Sequence, residues 1–171
     1  MISMIQSNFQ GFGSGIVIPG TGISLQNRGR GFSLEAGHPN QIAGGKRPYH
    51  TIIPAFLTRE GEAVGPFGVM GGHMQPQGHM QMVINQVDYG MNPQTSLDAP
   101  RWRYDGGLSV AVEAHAPRSV IEGLTARGHE VTVMEPTFNH GFGRGQIIRR
   151  LDNGAYVAGS EPRSDGCAAG W

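Results

Sequence analysis

Cysteine, charge and long hydrophobic runs are all scarce in this sequence. A single cysteine, Cys167, stands among 171 residues, which excludes an internal disulfide and a cysteine-based zinc cage. No run of 18 apolar residues occurs, so no segment has the make-up of a transmembrane helix. Charged residues make up 15%, against about 25% in an average globular domain. Thirteen basic and thirteen acidic residues cancel to a net charge of zero. That balance lacks the basic footprint of a nucleic-acid or anionic-membrane binder, so neither is expected as a partner. No Asn-x-Ser/Thr acceptor is present, and the first residues lack the basic and apolar regions of a secretory leader. So little charge suits a piece of a larger assembly better than a free-standing domain.

Glycine, in contrast, is abundant. There are 28 glycines in 171 residues, roughly double the usual share of about 7%. They punctuate strand-like and helix-like runs, which reads as ordered turns in a single domain spanning 1–171. Met1 to Phe9 alternates apolar and polar residues as a strand does, from the first residue, which suggests that the chain begins inside an element. Ile16–Ile18 and Ile23–Asn27 are short apolar or alternating runs, and 28–46 is an irregular surface loop. Thr51–Thr58 and Ala63–Met70 read as a strand pair across Arg59-Glu60-Gly61-Glu62. Met80, Val83, Ile84 and Val87 then fall on one helical face, with Gly90 at its C-terminal stop. Asn92-Pro93 opens a short second helix halted by Pro100, and Pro117 opens a third with Val120, Ile121 and Leu124 on one face. Leu108–Glu113, Val131–Val133, Gln146–Arg149 and Tyr156–Ala158 are further strands. Strands and helices in this partly segregated order predict a layered α+β fold.

Seven histidines show neither H-x-H nor HExxH spacing, so no metal site is expected. No GxSxG elbow surrounds any serine. One local feature carries chemistry. Val69-Met70-Gly71-Gly72-His73 follows a strand and precedes a helix. Two consecutive glycines can turn successive N–H groups to one side, and the helix N-terminus adds positive potential. An oxyanion hole is built this way, although a plain turn has the same sequence.

Several blocks stand in a fixed order: Phe12-Gly13-Ser14-Gly15-Ile16-Val17, Gly22-Ile23-Ser24-Leu25-Gln26-Asn27, Lys46-Arg47-Pro48, Gly71-Gly72, Val87-Asp88-Tyr89-Gly90-Met91-Asn92, Asp98-Ala99-Pro100-Arg101-Trp102, Ala126-Arg127-Gly128-His129-Glu130-Val131 and Pro162-Arg163-Ser164-Asp165-Gly166. Together they resemble the small subunit of the γ-glutamyltransferase family over essentially the whole chain. The resemblance implies the αββα sandwich of the N-terminal-nucleophile (Ntn) hydrolases, incomplete here. It also implies a precursor that cleaves itself to expose a threonine nucleophile whose own α-amine is the base. That threonine belongs about a dozen residues before Met1, so the chain is expected to lack the nucleophile strand and to be inactive alone.

The resemblance places Ser7 at a hydroxyl supporting the nucleophile, Asn8 near a substrate-contacting asparagine, and Gly71 and Gly72 at the oxyanion hole. Asn27 matches a substrate contact, and His73 joins the substrate-binding set beside the glycines. Two departures stand out. Family members that bind a γ-glutamyl group carry acidic residues just before the equivalent of Phe32-Ser33, where this chain has Arg28-Gly29-Arg30-Gly31. Their Ser-Ser pair for the α-carboxylate is replaced by His50-Thr51. Arginine in place of an ammonium-binding acid repels an α-amine and attracts a carboxylate, unless both arginines are solvated loop charges.

The expectation is therefore an amidohydrolase resembling the acylase and oxamate-amidohydrolase branch, acting on an amide of a small carboxylate-bearing acyl group. A true γ-glutamyltransferase or glutathione hydrolase is the rival enzyme, and a catalytically dead partner-binding module the rival outside enzymes. No cofactor is implied. The partner implied is the large subunit of the same precursor, and a higher oligomer is left open. The cytoplasm is the expected compartment, with periplasm or exterior open to a signal lying upstream.

Overall fold

The computed structural model describes residues 1–135 and 141–170. They belong to two compact units, one of Ile5–Ile52 and one of Met1–Met4 with the chain from Ile53 onward.

The larger unit holds two sheets. In the first, β1 (Ala55–Arg59), β2 (Glu62–Met70), β6 (Arg144–Arg150) and β7 (Tyr156–Ser160) lie in the order β1-β2-β6-β7, all antiparallel. Glu60 and Gly61, both at positive φ (52° and 85°), make the two-residue turn between β1 and β2. In the second, β3 (Trp102–Gly106) pairs antiparallel with β4 (Ser109–Glu113), and β4 pairs parallel with β5 (Glu130–Met134). The crossover between β4 and β5 is α3 (Arg118–Ala126), so a single βαβ unit sits within the α+β arrangement. Ile121 and Leu124 of α3 pack on Val110, Val112 and Ala116, as their helical spacing requires, while Val120 stays exposed.

The first sheet buries Phe67, Val69 and Ile147 against Met82 of α1 (Met74–Val87) and Leu97 of α2 (Pro93–Asp98). Asn92 caps α2 by accepting from the Thr95 amide at 2.9 Å. The apolar stripe expected to anchor α1 does so in part: Val83 packs on the core, but Met80 and Val87 are 44% and 53% exposed. The buried face is Met74, Gly78 and Met82 with Gln75, His79, Gln81 and Gln86. Gly78 decides this, because a Cβ there lies 2.7 Å from Val69 Cγ1, so only glycine lets the helix settle on β2.

Buried Gln81 and half-buried Gln77 have backbone to bond. Gln81 accepts from the Trp102 amide at 3.1 Å and donates to the Trp102 carbonyl at 2.9 Å. Gln77 accepts from the Tyr104 amide at 2.7 Å and donates to the Tyr104 carbonyl at 3.3 Å. One helical turn apart, the two side-chain amides act as a strand along the free edge of β3. No reading from periodicity marks β3, because its edge is closed by side chains and not by a neighbouring strand.

In the smaller unit the expected runs at 16–18 and 23–27 shrink to one isolated bridge, Val17 with Ser24, and the expected loop over 28–46 holds a second, Ser33 with Gln41, beside a 3-10 turn at Arg28–Gly31. The expected strand over 1–9 is absent. Alternation gives a segment two faces but no ladder, and Phe9 at φ 76° turns the chain out of the extended region.

Candidate active site

Gly71 and Gly72 lie between the end of β2 and the first turn of α1. Their φ angles are +140° and +61°, a left-handed pair that β-branched or bulky residues do not adopt without strain. The carbonyls of Gly71 and Gly72 accept from the Met74 and Gln75 amides at 3.1 Å each, which starts the helix. Their own amides donate to no other described residue. Two amides at a helix N-terminus, on a half-buried and an exposed residue, are the kind of group from which an oxyanion hole is built. His73 follows on the exposed side and does not cap the helix with its side chain.

Behind this turn lies a feature that sequence reasoning missed. Arg101, Glu113, Glu161 and Arg163 are all buried and interlocked. Arg163 bonds both oxygens of Glu113, each at 2.5 Å, and Oε1 of Glu161 at 2.8 Å. Arg101 bonds Oε2 of Glu161 at 2.7 Å, and its amide donates to Glu113 at 2.7 Å. Two positive and two negative groups balance, as buried charge requires. Burial alone would raise the Glu161 carboxyl, but the Arg101 charge and the bonds from Arg163, the Gly145 amide and Arg101 hold it below the usual carboxylate range. The spare guanidinium donors reach carbonyls: Arg101 those of Leu97, Phe142 and Gly143, and Arg163 those of Leu97 and Ala99. The sequence holds a signal in Glu113 and Glu161, single acids at the ends of apolar strands.

The other expected residues belong to the smaller unit, and there Arg28 is the one buried residue, 8% exposed. Its guanidinium donates to Thr51 Oγ1 at 2.9 Å and to the Ser7 carbonyl at 3.3 Å, and stands 5.5 Å over the Phe9 ring. No carboxylate among the described residues lies within ion-pair distance of it, in contrast to Arg101 and Arg163. Arg30 is exposed and donates to Gln10 Oε1 at 3.1 Å. Asn27 is tied to Gln10 through both ends of its amide, and Asn8 donates to Ser24 Oγ at 2.6 Å. Ser7 Oγ accepts from the Phe9 amide at 3.0 Å, which leaves its proton for another acceptor. His50 is exposed. Ser7, Arg28 and Thr51 are thus brought together, Asn8 and Asn27 are held by their own neighbours, and Arg30 and His50 face solvent. Of the seven histidines, His140 lies outside the described residues, and the described residues form no group of three metal-ligating side chains.

Comparison with known proteins decides the family. The family model described as Gamma-glutamyltranspeptidase matches residues 1–171. The chain belongs to the γ-glutamyltranspeptidase family. It is 37% identical to the oxamate amidohydrolase proenzyme of Klebsiella pneumoniae, and 35% identical to the glutathione hydrolase-like YwrD proenzyme of Bacillus subtilis. Each match covers 99% of this chain and 33% of the relative, so the chain spans about a third of these proteins. The crystal structure of a cephalosporin acylase from Bacillus halodurans superposes with a TM-score of 0.91 at 54% identity, over 98% of this chain and 31% of that one. The two-sheet α+β fold is therefore that of the γ-glutamyltranspeptidase-type Ntn hydrolases, a family whose members are hydrolases and transferases.

Proposed function

We propose that residues 1–171 form the small-subunit part of an Ntn amidohydrolase that removes a small, carboxylate-bearing acyl group from an amide through an acyl-threonine intermediate. The nucleophile is assigned to residues outside 1–171, consistent with a chain that spans about a third of its relatives. Its hydroxyl oxygen attacks the amide carbon, and the carbonyl oxygen gathers negative charge against the Gly71 and Gly72 amides. The base takes the hydroxyl proton as the oxygen attacks and passes it to the leaving amine as the C–N bond breaks, and water then cleaves the acyl ester to the free acid and the hydroxyl. Ser7, with its oxygen already accepting from Phe9, donates its proton toward the nucleophile oxygen.

The observation that carries the substrate class is Arg28. A buried guanidinium without a carboxylate is uncompensated, and its place after Asn27 is where γ-glutamyl enzymes keep acids for an ammonium. An acyl carboxylate supplies the missing partner bidentately. Thr51 orients the guanidinium through its hydroxyl. Gly71, Gly72 and Arg28 are assigned to the substrate, with Asn8, Asn27, His50 and His73 as lesser contacts and Arg30 in a solvated role. The large subunit of the same precursor is the proposed partner, supported by exposed Phe12, Ile16, Ile23, Leu34 and Ile42 on the smaller unit.

The test is kcat/KM on glutaryl and γ-glutamyl anilides in the assembled enzyme. Arg28→Asp is expected to lower glutaryl hydrolysis at least about tenfold, a change of about 1.4 kcal/mol or more, and to hold or raise γ-glutamyl hydrolysis. Arg30→Asp is expected to change the ratio by less than about twofold. An unchanged ratio in Arg28→Asp, or a native preference for γ-glutamyl amides, overturns the carboxylate reading and favours a glutathione hydrolase.

A further inference from the structure

Gly143 immediately precedes β6, and β6 pairs with β2 through Met70 and Arg144. Gly71 and Gly143 therefore face each other just past the end of the ladder. They are in contact: a Cβ on Gly71 falls 2.9 Å from Gly143 Cα, and one on Gly143 falls 2.7 Å from the Met70 carbonyl oxygen and 2.6 Å from Val69 Cγ1. Neither position tolerates a side chain, and each limits where the other backbone can lie.

What fixes Gly143 is the buried charge network. Arg101 donates from one nitrogen to the Phe142 and Gly143 carbonyls at 3.2 and 2.9 Å. The Gly145 amide donates to Glu161 Oε2 at 2.6 Å, the same oxygen that Arg101 bonds. Residues 142–145 are thus pinned at three backbone atoms to one buried ion pair. An isolated structural salt bridge is a weak source of stability, since desolvation offsets attraction. A rigid backing for a turn that must hold two amides in register gives the network another use.

We infer that Arg101 is a positioning residue for the oxyanion donors: it fixes the 142–143 backbone, and Gly143 in turn fixes the Gly71–Gly72 turn. The inference rests on the reading of Gly71 and Gly72 as those donors. It makes Arg101 act on the transition state through backbone placement, without touching substrate.

The variants are Arg101→Met, Arg101→Lys and Gly143→Ala in the assembled enzyme, with Glu161→Gln as a fourth that keeps volume should any of the first three fail to fold. Ile147→Val, in the sheet core, is the control for loss of stability alone. Two measurements are made on each: kcat and KM per folded site on the glutaryl and γ-glutamyl anilides, and the crystal structure of the Gly71–Gly72 turn. Arg101→Met and Gly143→Ala are expected to lower kcat at least about tenfold with KM changed less than about twofold. The Gly71 and Gly72 amide nitrogens should shift by about 0.5 Å or more. Arg101→Lys should recover part of the loss, since an ammonium still donates to the Gly143 carbonyl, and Ile147→Val should lower Tm with kcat and turn unchanged. A turn that stays in place in the folded variants, or kcat per folded site equal to that of the control, overturns the inference. A parent enzyme that hydrolyses neither anilide overturns the functional reading instead, and the crystal structures then decide the positioning role by themselves.

Discussion

At the scale of single residues, this chain sets two kinds of buried arginine side by side. Arg101 and Arg163 are neutralised within the fold by Glu113 and Glu161, whereas Arg28 meets a hydroxyl, a carbonyl and a ring. The first kind is structural in its energetics. Removing one partner leaves an uncompensated charge, so Glu161→Ala is expected to destabilise by about 3–5 kcal/mol, read from chemical denaturation. The same carboxyl gives the fold an acid limit. Glu161 releases its proton more readily folded than unfolded, against its burial, because Arg101 and Arg163 stand beside it. Its stabilising contribution is therefore complete above the ordinary glutamate pKa of about 4.3 and is lost as the pH falls through the lower, folded value. Melting temperatures followed from pH 7 down to pH 3 should fall more steeply for the native protein than for Glu161→Gln. Parallel curves would show that the carboxyl does not carry this linkage.

Among the elements, α1 departs furthest from its sequence pattern. Its glutamines face inward because β3 has an unpaired edge for them, and Met80 and Val87 of its apolar stripe are left outside. Gly78 is the pivot. Gly78→Ala raises helix propensity but sets a Cβ 2.7 Å from Val69 Cγ1; overpacking of this kind costs about 1–3 kcal/mol, so a net loss of stability is expected where an exposed helix would gain. Equilibrium denaturation of Gly78→Ala gives the sign. Gln77→Ala with Gln81→Ala uncovers the Trp102 and Tyr104 backbone, and each amide or carbonyl left unmet costs about 1–3 kcal/mol if water does not reach it. Hydrogen exchange should then quicken at the Trp102 and Tyr104 amides while the β4–β5 amides keep their protection, and equal protection in both proteins would contradict the edge-closing role.

For the whole chain, the distribution of apolar surface is the deciding quantity. Six large apolar residues of the smaller unit, Phe12, Ile16, Ile23, Leu34, Ile42 and Tyr49, are each more than half exposed, as are Ile2 and Met4. Exposed apolar residues in such number fit the proposed large-subunit partner. The polypeptide 1–171 by itself is expected to associate at concentrations where the assembled protein stays dispersed, which light scattering on both samples measures; a monodisperse monomer with a sharp two-state melt speaks against a missing partner. On the proposed reading the same polypeptide should release no detectable chromophore from glutaryl or γ-glutamyl anilides, since oxyanion donors without a nucleophile give only residual acceleration. Robust turnover by 1–171 would place the nucleophile within these residues.

The sequence alone was enough for whatever rests on short-range chemistry. Asn92-Pro93 starts a helix because an asparagine side chain reaches an amide three residues on, and Glu60-Gly61 turns a hairpin because glycine accepts positive φ. Ordered motifs such as Asp98-Ala99-Pro100-Arg101-Trp102 carried the family, and the Gly71-Gly72 pair marked its candidate site. Tertiary structure decided whatever depends on which distant groups meet. Alternation in 1–9 and 23–27 did not become sheet, since a ladder needs a partner strand and periodicity does not name one. The stripe at Met80, Val83, Ile84 and Val87 was a true helical face, of which Val83 packs on the core while Met80 and Val87 stay exposed, because burial was chosen by Gly78 against Val69, residues nine apart in different elements. The quartet of Arg101, Glu113, Glu161 and Arg163 spans up to 62 positions, and only folding brings its charges within 2.5 to 2.8 Å. For the same reason two arginines that are equivalent by sequence, Arg28 and Arg30, part company in the fold: one is withdrawn from water beside Thr51 and Ser7, and the other is left in it.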